Sequence, residues 1–517
     1  MNPLFRFSPS RSIALLGLAL FAISLMTHAT RASAAEVEPG FKSLFNEKDL
    51  SGWDGNTKFW SVQDGAITGQ ATTENPTKGN TFLIWRDGIV DDFELRLSYK
   101  IIGGNSGIQY RSKDLGDWVV GGYQGDFEAG ETFSGILYEE RGRPPGILAN
   151  RGQKTEMGPD GKVNVIASLG DTKDIQANIK KEDWNEYVIL AQGNQLTHII
   201  NGRVTAQFTD NQPEKRAMSG ILALQLHAGP PMKVQFKNIR LKRTPLTAGV
   251  KKIVLVAGRQ SHGPGDHEFN AGVQLLQKCL DKVPGVLAVH YLNGWPTDPS
   301  AFDNADAIMF YMDGGDGHPV IQGDHLLQLN KLARQGVGIA CVHYAVEVPK
   351  DRGGPELLDW IGGYFEAHWS VNPHWTAKFD RLPDHPITRG VHPFEINDEW
   401  YYHMRFRENM HHVTPILTAI PPASTLDRPD GPHSGNKFVR EKIGQPQHVA
   451  WAVEREDGGR GFGFTGGHFH RNWGDDNFRK LFLNALLWVA KAPVPQDGVE
   501  SQVTPEELKA NLDPKGK

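Results

Sequence analysis

Between Gly40 and Arg243 the chain alternates apolar and polar residues with a period of two. The runs FELRLSYKI (93–101), GIQYRS (107–112), EYVILAQG (186–193), THIING (197–202) and KVQFKNIRLK (233–242) show it best. A period of two sends successive side chains to opposite faces of a strand, and Gly, Asn and Asp punctuate the runs as turn residues do. About a dozen such strands without a long helix predict a two-sheet sandwich over 40–243.

After TPLTAG (244–249), which reads as a linker, the pattern changes. KKIVLVAG (251–258), ADAIMFYMD (305–313), VGIACVHYA (337–345) and the later GRGFGFTG (459–466) read as buried strands. FNAGVQLLQKCLDKV (269–283), DHLLQLNKLARQG (324–336) and FRKLFLNALLWVAK (478–491) carry the spacing of amphipathic helices. Strands alternating with helices predict an α/β domain over 250–491, its parallel sheet covered on both faces. Residues 492–517 read as a polar C-terminal tail.

Composition agrees with this division. A chain of 517 residues exceeds one ordinary domain. With 13 Trp and 25 Phe it has ample core material, and 57 Gly and 32 Pro suit a turn-rich fold. The net charge of −5 is spread over mixed signs, so no nucleic-acid partner is expected. Residues 1–35 read as a signal peptide, with Arg6 and Arg11 before the apolar run Ile13–Leu25 and small residues at Ala32-Ser33-Ala34. The apolar run would rise only about 20 Å as a helix, too little for a membrane span. The expectation is therefore an exported protein, periplasmic or extracellular, without a stable membrane anchor. The two cysteines, Cys279 and Cys341, fall in a helix pattern and a strand pattern and read as small apolar residues.

Candidate chemistry in the first half lies on one strand face. Gln109 pairs with Arg111, Gln124 with Asp126 and Glu128, and Gln225 with His227. Gln, Asp, His and Arg grouped this way suit recognition of sugar hydroxyls better than a plain solvated face. The motifs FKSLFNEKDLSGW, GGNSGIQYRS, GYQGDF, GILYEERGR, WNEYVILAQGNQLTHIING and ILALQLHAGPPMKVQFKNIRLK make residues 40–243 resemble the 3-keto-disaccharide hydrolase domain family. That resemblance implies a concanavalin/glucanase-like β-sandwich that cleaves sugars carrying a ketone at carbon 3. The ketone acidifies the proton at carbon 2, and its loss can expel the group on carbon 1. This elimination needs a base, from Asp126 or His227, and an electrophile such as Arg111 or a bound metal. Asn105, Gln109, Gln124, Glu139, Arg141 and Gln225 are candidate substrate contacts. A two-carboxylate glycosidase drawing on Asp126, Glu128, Glu139 and Glu140 stays open, as does a lectin-like sandwich that only binds sugar.

The second half holds 17 of the 20 histidines. His262 and His267 follow its first strand, His343 ends the third, and His468, His470 and Trp473 follow a late one. Ligand sites of open α/β sheets lie at the carboxyl ends of strands, so these segments should converge. The stretches SHGPGDHEFNAG, GVGIACVHYA, FEAHW, DHPITRG, NDEWYY and GFTGGHFHRNW make residues 250–491 resemble the ThuA-like (trehalose utilization) family. This implies a fold like the class I glutamine amidotransferases, flavodoxin-like in architecture. In those enzymes a cysteine occupies the strand-to-helix elbow. Here His343 falls there, and Cys341 lies two residues earlier in the strand, so glutaminase chemistry is not expected. His262, His267, His343, His468 and His470, with Asp398 or Glu399, are candidate ligands for a divalent metal. A metal-free polar pocket using His262, His343, Glu399 and Trp473 for sugar is the other reading. No further cofactor is implied, and the expected partner is a small carbohydrate.

Overall fold

The computed structural model describes residues 38–515; the leader read at residues 1–35 falls outside them. Two sheets, of ten and seven strands among the described residues, carry residues 42–243. The strands Phe93–Ile102 and Met232–Arg243 form the spine of the larger sheet, antiparallel to each other. In Phe93–Ile102 the odd-numbered residues Phe93, Leu95, Leu97, Tyr99 and Ile101 are buried, and the residues between them are half-exposed. Their partners across the core are Ile108, Tyr110, Tyr123, Phe127 and Leu224 of the smaller sheet. Period-two patterning thus has its expected cause, one face turned to the opposing sheet.

The smaller sheet departs from that rule. Its outward face is buried too: Phe82, Ile84, Val120 and Ala223 form a separate apolar group there, beside the buried side chains of Gln109, Gln124 and Gln225. Polar side chains kept from water on the outer face of a sandwich are what first distinguishes this sheet.

Residues 251–464 build a seven-stranded sheet. Its order is Val286–Tyr291, Lys251–Ala257, Ala307–Tyr311, Gly338–Val342, Arg460–Phe464, Gln447–Glu454 and Val413–Ala419. The first five are parallel neighbours. The last two run antiparallel at the edge, where a tight turn after Glu454 returns the chain to Arg460. The expected parallel sheet is therefore mixed, because this hairpin needs no crossover helix. Both faces are covered, as Lys251–Ala257 shows directly. Ile253, Leu255 and Ala257 pack against the helices Phe269–Leu280 and Asp476–Val489. Val254 and Val256 share the opposite core with Leu329 of helix His325–Arg334 and Trp360 of helix Gly354–Ile361. Cys341 is buried in this second core, and burial pushes its thiol up to about 12. At pH 7 it is a protonated, apolar residue.

The stretch after 491 packs back onto the domain. Val494 and Val499 join the first core, Asn484 accepts a hydrogen bond from Val499 N, and Lys515 pairs with the buried Glu268.

The two halves meet through buried charge. Lys252 Nζ lies 2.6 Å from Asp91, and Arg243 reaches Asp91 at 2.7 Å and Asp298 at 2.7 Å. All four side chains are at most 3% exposed, so the two cations and two anions must neutralise one another.

Candidate functional site

On the sandwich's outer face, Gln109 stands opposite Gln124, and Gln124 opposite Tyr138 on the next strand. One step along, Asp126 stands opposite Gly107. The bare glycine lets the Gln124 side chain lie over it; a Cβ there would come within 2.5 Å of the carboxamide. The result is a directed chain of hydrogen bonds. Ser112 Oγ donates to Gln109 Oε1 at 2.6 Å, Gln109 Nε2 to Gln124 Oε1 at 2.5 Å, and Gln124 Nε2 to Asp126 Oδ1 at 2.5 Å. Asn105 is a second donor to Asp126. Burial nevertheless dominates, and with Glu140 and Glu128 nearby it raises the Asp126 carboxyl to about 7 despite those two amides. Asn105, Tyr138 and Glu140 beside it are half-buried. Gln225 shares this face, its Nε2 3.4 Å from Glu140, and its Oε1 is buried with no partner. An orphaned acceptor of this kind suits a ligand hydroxyl.

Several expected members of this site stand elsewhere. Arg111 lies in a bulge, where the pairing with Val120–Glu128 slips between Tyr110 and Lys113, and its φ is +48°. The bulge aims the guanidinium away from Gln109 and into the protein, where it meets the Asp91 and Gly193 carbonyls and the Asp92 carboxylate. It is a buried structural cation, not an electrophile for substrate. His227 follows the end of its strand, and its Nδ1 sits 2.5 Å from the Ala228 carbonyl; among the described residues no hydrogen bond joins it to Asp126. Glu139 faces inward, as expected of the residue beside outward Glu140, and binds Arg143, which also holds Asp210. Glu128 accepts from the Thr132 and Phe133 amides and fixes its own loop. Arg141 is exposed in the turn beyond.

In the second half the carboxyl ends of three parallel strands do bring histidines together. His267 Nε2 lies 3.0 Å from His468 Nδ1 and 3.1 Å from His343 Nε2, and the last two atoms are 3.3 Å apart. Glu399 Oε2 lies 3.4 Å from His343 Nε2 and 3.3 Å from His468 Nδ1. Desolvation, and then the neighbouring imidazoles, hold His267 well below the usual histidine range. Burial opposes ionisation of Glu399, but His343 and His468 outweigh it and hold the carboxylate low. The outer nitrogens are anchored: His267 Nδ1 to Asp313 Oδ1 at 2.9 Å and His343 Nδ1 to the Thr465 carbonyl at 2.8 Å. Asp398 accepts from the Gly467 and His468 amides and so holds the His468 loop.

Glu399, expected either as a ligand beside the histidines or as a substrate contact, stands as a fourth donor among the histidines. His262 is exposed and lies tilted over His267 with ring centroids 3.6 Å apart. His470 is no part of the cluster. A 3-10 turn begins at that residue, which breaks the extended geometry expected of H-x-H, and its Nε2 meets the Leu508 carbonyl instead. Trp473 is fully buried against Tyr311, Phe478 and Phe482 and is a core residue, not a sugar platform. Sequence reasoning missed Ser112, Asp313 and Tyr401, whose hydroxyl is 3.2 Å from His343 Nε2. Only Asp313 carried a signal, as a carboxylate closing the strand pattern ADAIMFYMD.

Comparison with known proteins supports both resemblances, in the same order. Residues 40–242 match the family described as a 3-keto-alpha-glucoside-1,2-lyase-like domain, and residues 253–489 match the family described as Trehalose utilisation. No curated protein matches the chain. A protein from Parabacteroides distasonis ATCC 8503, provisionally classed as a glycosyl hydrolase, is 18% identical over 40% of this chain and 99% of its own, with a TM-score of 0.26. A ThuA-like protein from Parabacteroides merdae ATCC 43184 is 15% identical over 48% of this chain and 94% of its own, with a TM-score of 0.34. The carbohydrate-binding module CBM66 from Bacillus subtilis is 15% identical over 37% and 95%, with a TM-score of 0.25.

Proposed function

We propose that the chain is an exported carbohydrate-active enzyme that cleaves glycosides bearing a ketone at carbon 3, with Asp126 as its base. The buried Asp126 carboxyl carries this reading: it is poised near neutral pH, aimed by the Ser112–Gln109–Gln124 relay, and lies beside half-buried Asn105, Tyr138 and Glu140. The description of the family matched by residues 40–242 supports the substrate class. The leader pattern at residues 1–35 supports export to the periplasm or the exterior.

In this reading Asp126 takes the proton from carbon 2. The C–H electron pair becomes the new double bond between carbons 1 and 2, and the bond from carbon 1 to the leaving oxygen breaks. Asp126, now protonated, returns the proton to that oxygen. Addition of water across the double bond afterwards would make the net reaction a hydrolysis. Removal of a positioned base costs ~10²–10⁴-fold in rate, so Asp126→Asn should lower kcat on a 3-keto-glucoside by that range.

Isotope exchange separates this course from an ordinary glycosidase. In heavy water the wild type should release the carbon-2 hydrogen, giving the unsaturated sugar or, where water adds, deuterium at carbon 2, and leave the unoxidised glycoside untouched. Equal cleavage of the unoxidised glycoside without deuterium uptake would overturn the proposal. Tight sugar binding with no turnover of either glycoside would assign the sandwich to the lectin-like class instead.

A further inference from the structure

We infer that His267, His343, His468 and Glu399 form a binding site for one divalent transition ion, zinc-like in its preference for imidazole and carboxylate. This goes beyond the sandwich chemistry and stands apart from it. A tetrahedral ion with ligand bonds of 2.0–2.1 Å separates its donors by about 3.3–3.4 Å. Five of the six donor pairs here stand 3.0, 3.1, 3.3, 3.3 and 3.4 Å apart, and all four donors lie within 4.8 Å of one another. Four donors from four separate segments thus already stand close enough to surround one ion.

The hydrogen-bond directions suit a cation as well. Asp313 and the Thr465 carbonyl are acceptors, so the Nδ1 atoms of His267 and His343 carry the protons. Both Nε2 atoms therefore point lone pairs at each other across 3.1 Å. A single proton on His468 could bridge only one of them, and the Tyr401 hydroxyl lies 3.2 Å from His343 Nε2. A metal ion satisfies all three nitrogens and the carboxylate at once, and the Asp313–His267 pair is the outer contact that orients a metal-bound imidazole. Backbone strain gathers here as well: His262, His267 and His343 have φ of +56°, +47° and +54°, left-handed values that non-glycine residues adopt only where their surroundings hold them there.

The ion would be reachable. His267 and His343 are at most 1% exposed, whereas the Glu399 side chain is 14% exposed. Asp313 also lines a cleft of about 830 Å³, shared with Arg86 and Ile221 of the sandwich. Glu399 is accordingly the one donor free to swing aside, which would open a coordination position to a water or to a hydroxyl or carbonyl oxygen.

The test uses the full mature chain, stripped with chelator and titrated with Zn²⁺ alone and with Co²⁺ alone. Expected are one equivalent of tightly bound ion, a visible absorption band of four-coordinate cobalt, and a rise in Tm with zinc. His343→Ala should abolish these signals. Asp313→Asn, whose donors all remain, should weaken affinity by about 10–100-fold, and His470→Ala should bind as the wild type does. Circular dichroism separates loss of ligand from loss of fold, and Asp313→Asn decides the question should His343→Ala fail to fold. A stripped wild type that takes up no ion, or a His470→Ala variant that loses the ion while Asp313→Asn keeps it unchanged, would overturn the site.

Discussion

Replacing Asp126 by Asn should lower kcat by about 10²–10⁴-fold and at the same time make the protein more stable, increasingly so as the pH rises. An aspartate ordinarily ionises near 3.8, and burial moves Asp126 to about 7. The folded state therefore holds the proton more tightly than the unfolded chain does. Folding is favoured most below pH 3.8, and that advantage is lost as pH rises toward 7. At 1.36 kcal/mol per pKa unit the cost of burying the ionised carboxylate reaches about 4 kcal/mol by pH 8, against about 1.5 kcal/mol at pH 5. Asn cannot ionise, yet it keeps an oxygen for Gln124 to donate to. Urea unfolding of wild type and Asp126→Asn, compared at several pH values, should show the variant's advantage growing by roughly 3 kcal/mol between pH 5 and pH 8. The kcat of the wild type should rise over the same interval and level off above about 7. An advantage that stays constant from pH 5 to pH 8 would mean that Asp126 does not titrate there, and the base assignment would fall with it.

Other consequences can be checked separately. Gly107→Ala would set a methyl against the Gln124 carboxamide; kcat should drop while sugar affinity and Tm change little, and an unaltered kcat would remove the relay from the mechanism. Asp91→Ala leaves Lys252 and Arg243 buried without their shared anion and should cost about 3–5 kcal/mol, read as a lowered unfolding midpoint. Iodoacetamide at pH 8 should leave the native chain active, because Cys341 is buried and protonated; rapid inactivation through Cys341 would refute that.

The sequence reveals most where burial is one-sided. Alternation in 93–102 and the apolar runs of 251–257 and 338–342 need no partner to be read, so both sheets were legible. The convergence of His267, His343 and His468 followed from strand ends alone. What escaped depended on single backbone irregularities. The bulge at Arg111 reverses the face that simple alternation assigns it, and the turn starting at His470 does the same to the second histidine of H-x-H. Ser112 enters the relay through that same bulge, which no period-two pattern can reveal. Glu399 was legible as an acidic residue near the crevice, but its place among the imidazoles depends on where the loop after Asp398 lands, a long-range matter.

The charged seam between the halves bears on how such a chain could have arisen. Each half contributes one cation and one anion, and each pairs across the boundary, Lys252 with Asp91 and Arg243 with Asp298. Grafting either half onto a foreign neighbour would bury ions that have lost their counterparts. The two parts must therefore be inherited as a matched set, and substitutions at these four positions would have to be exchanged in compensating pairs.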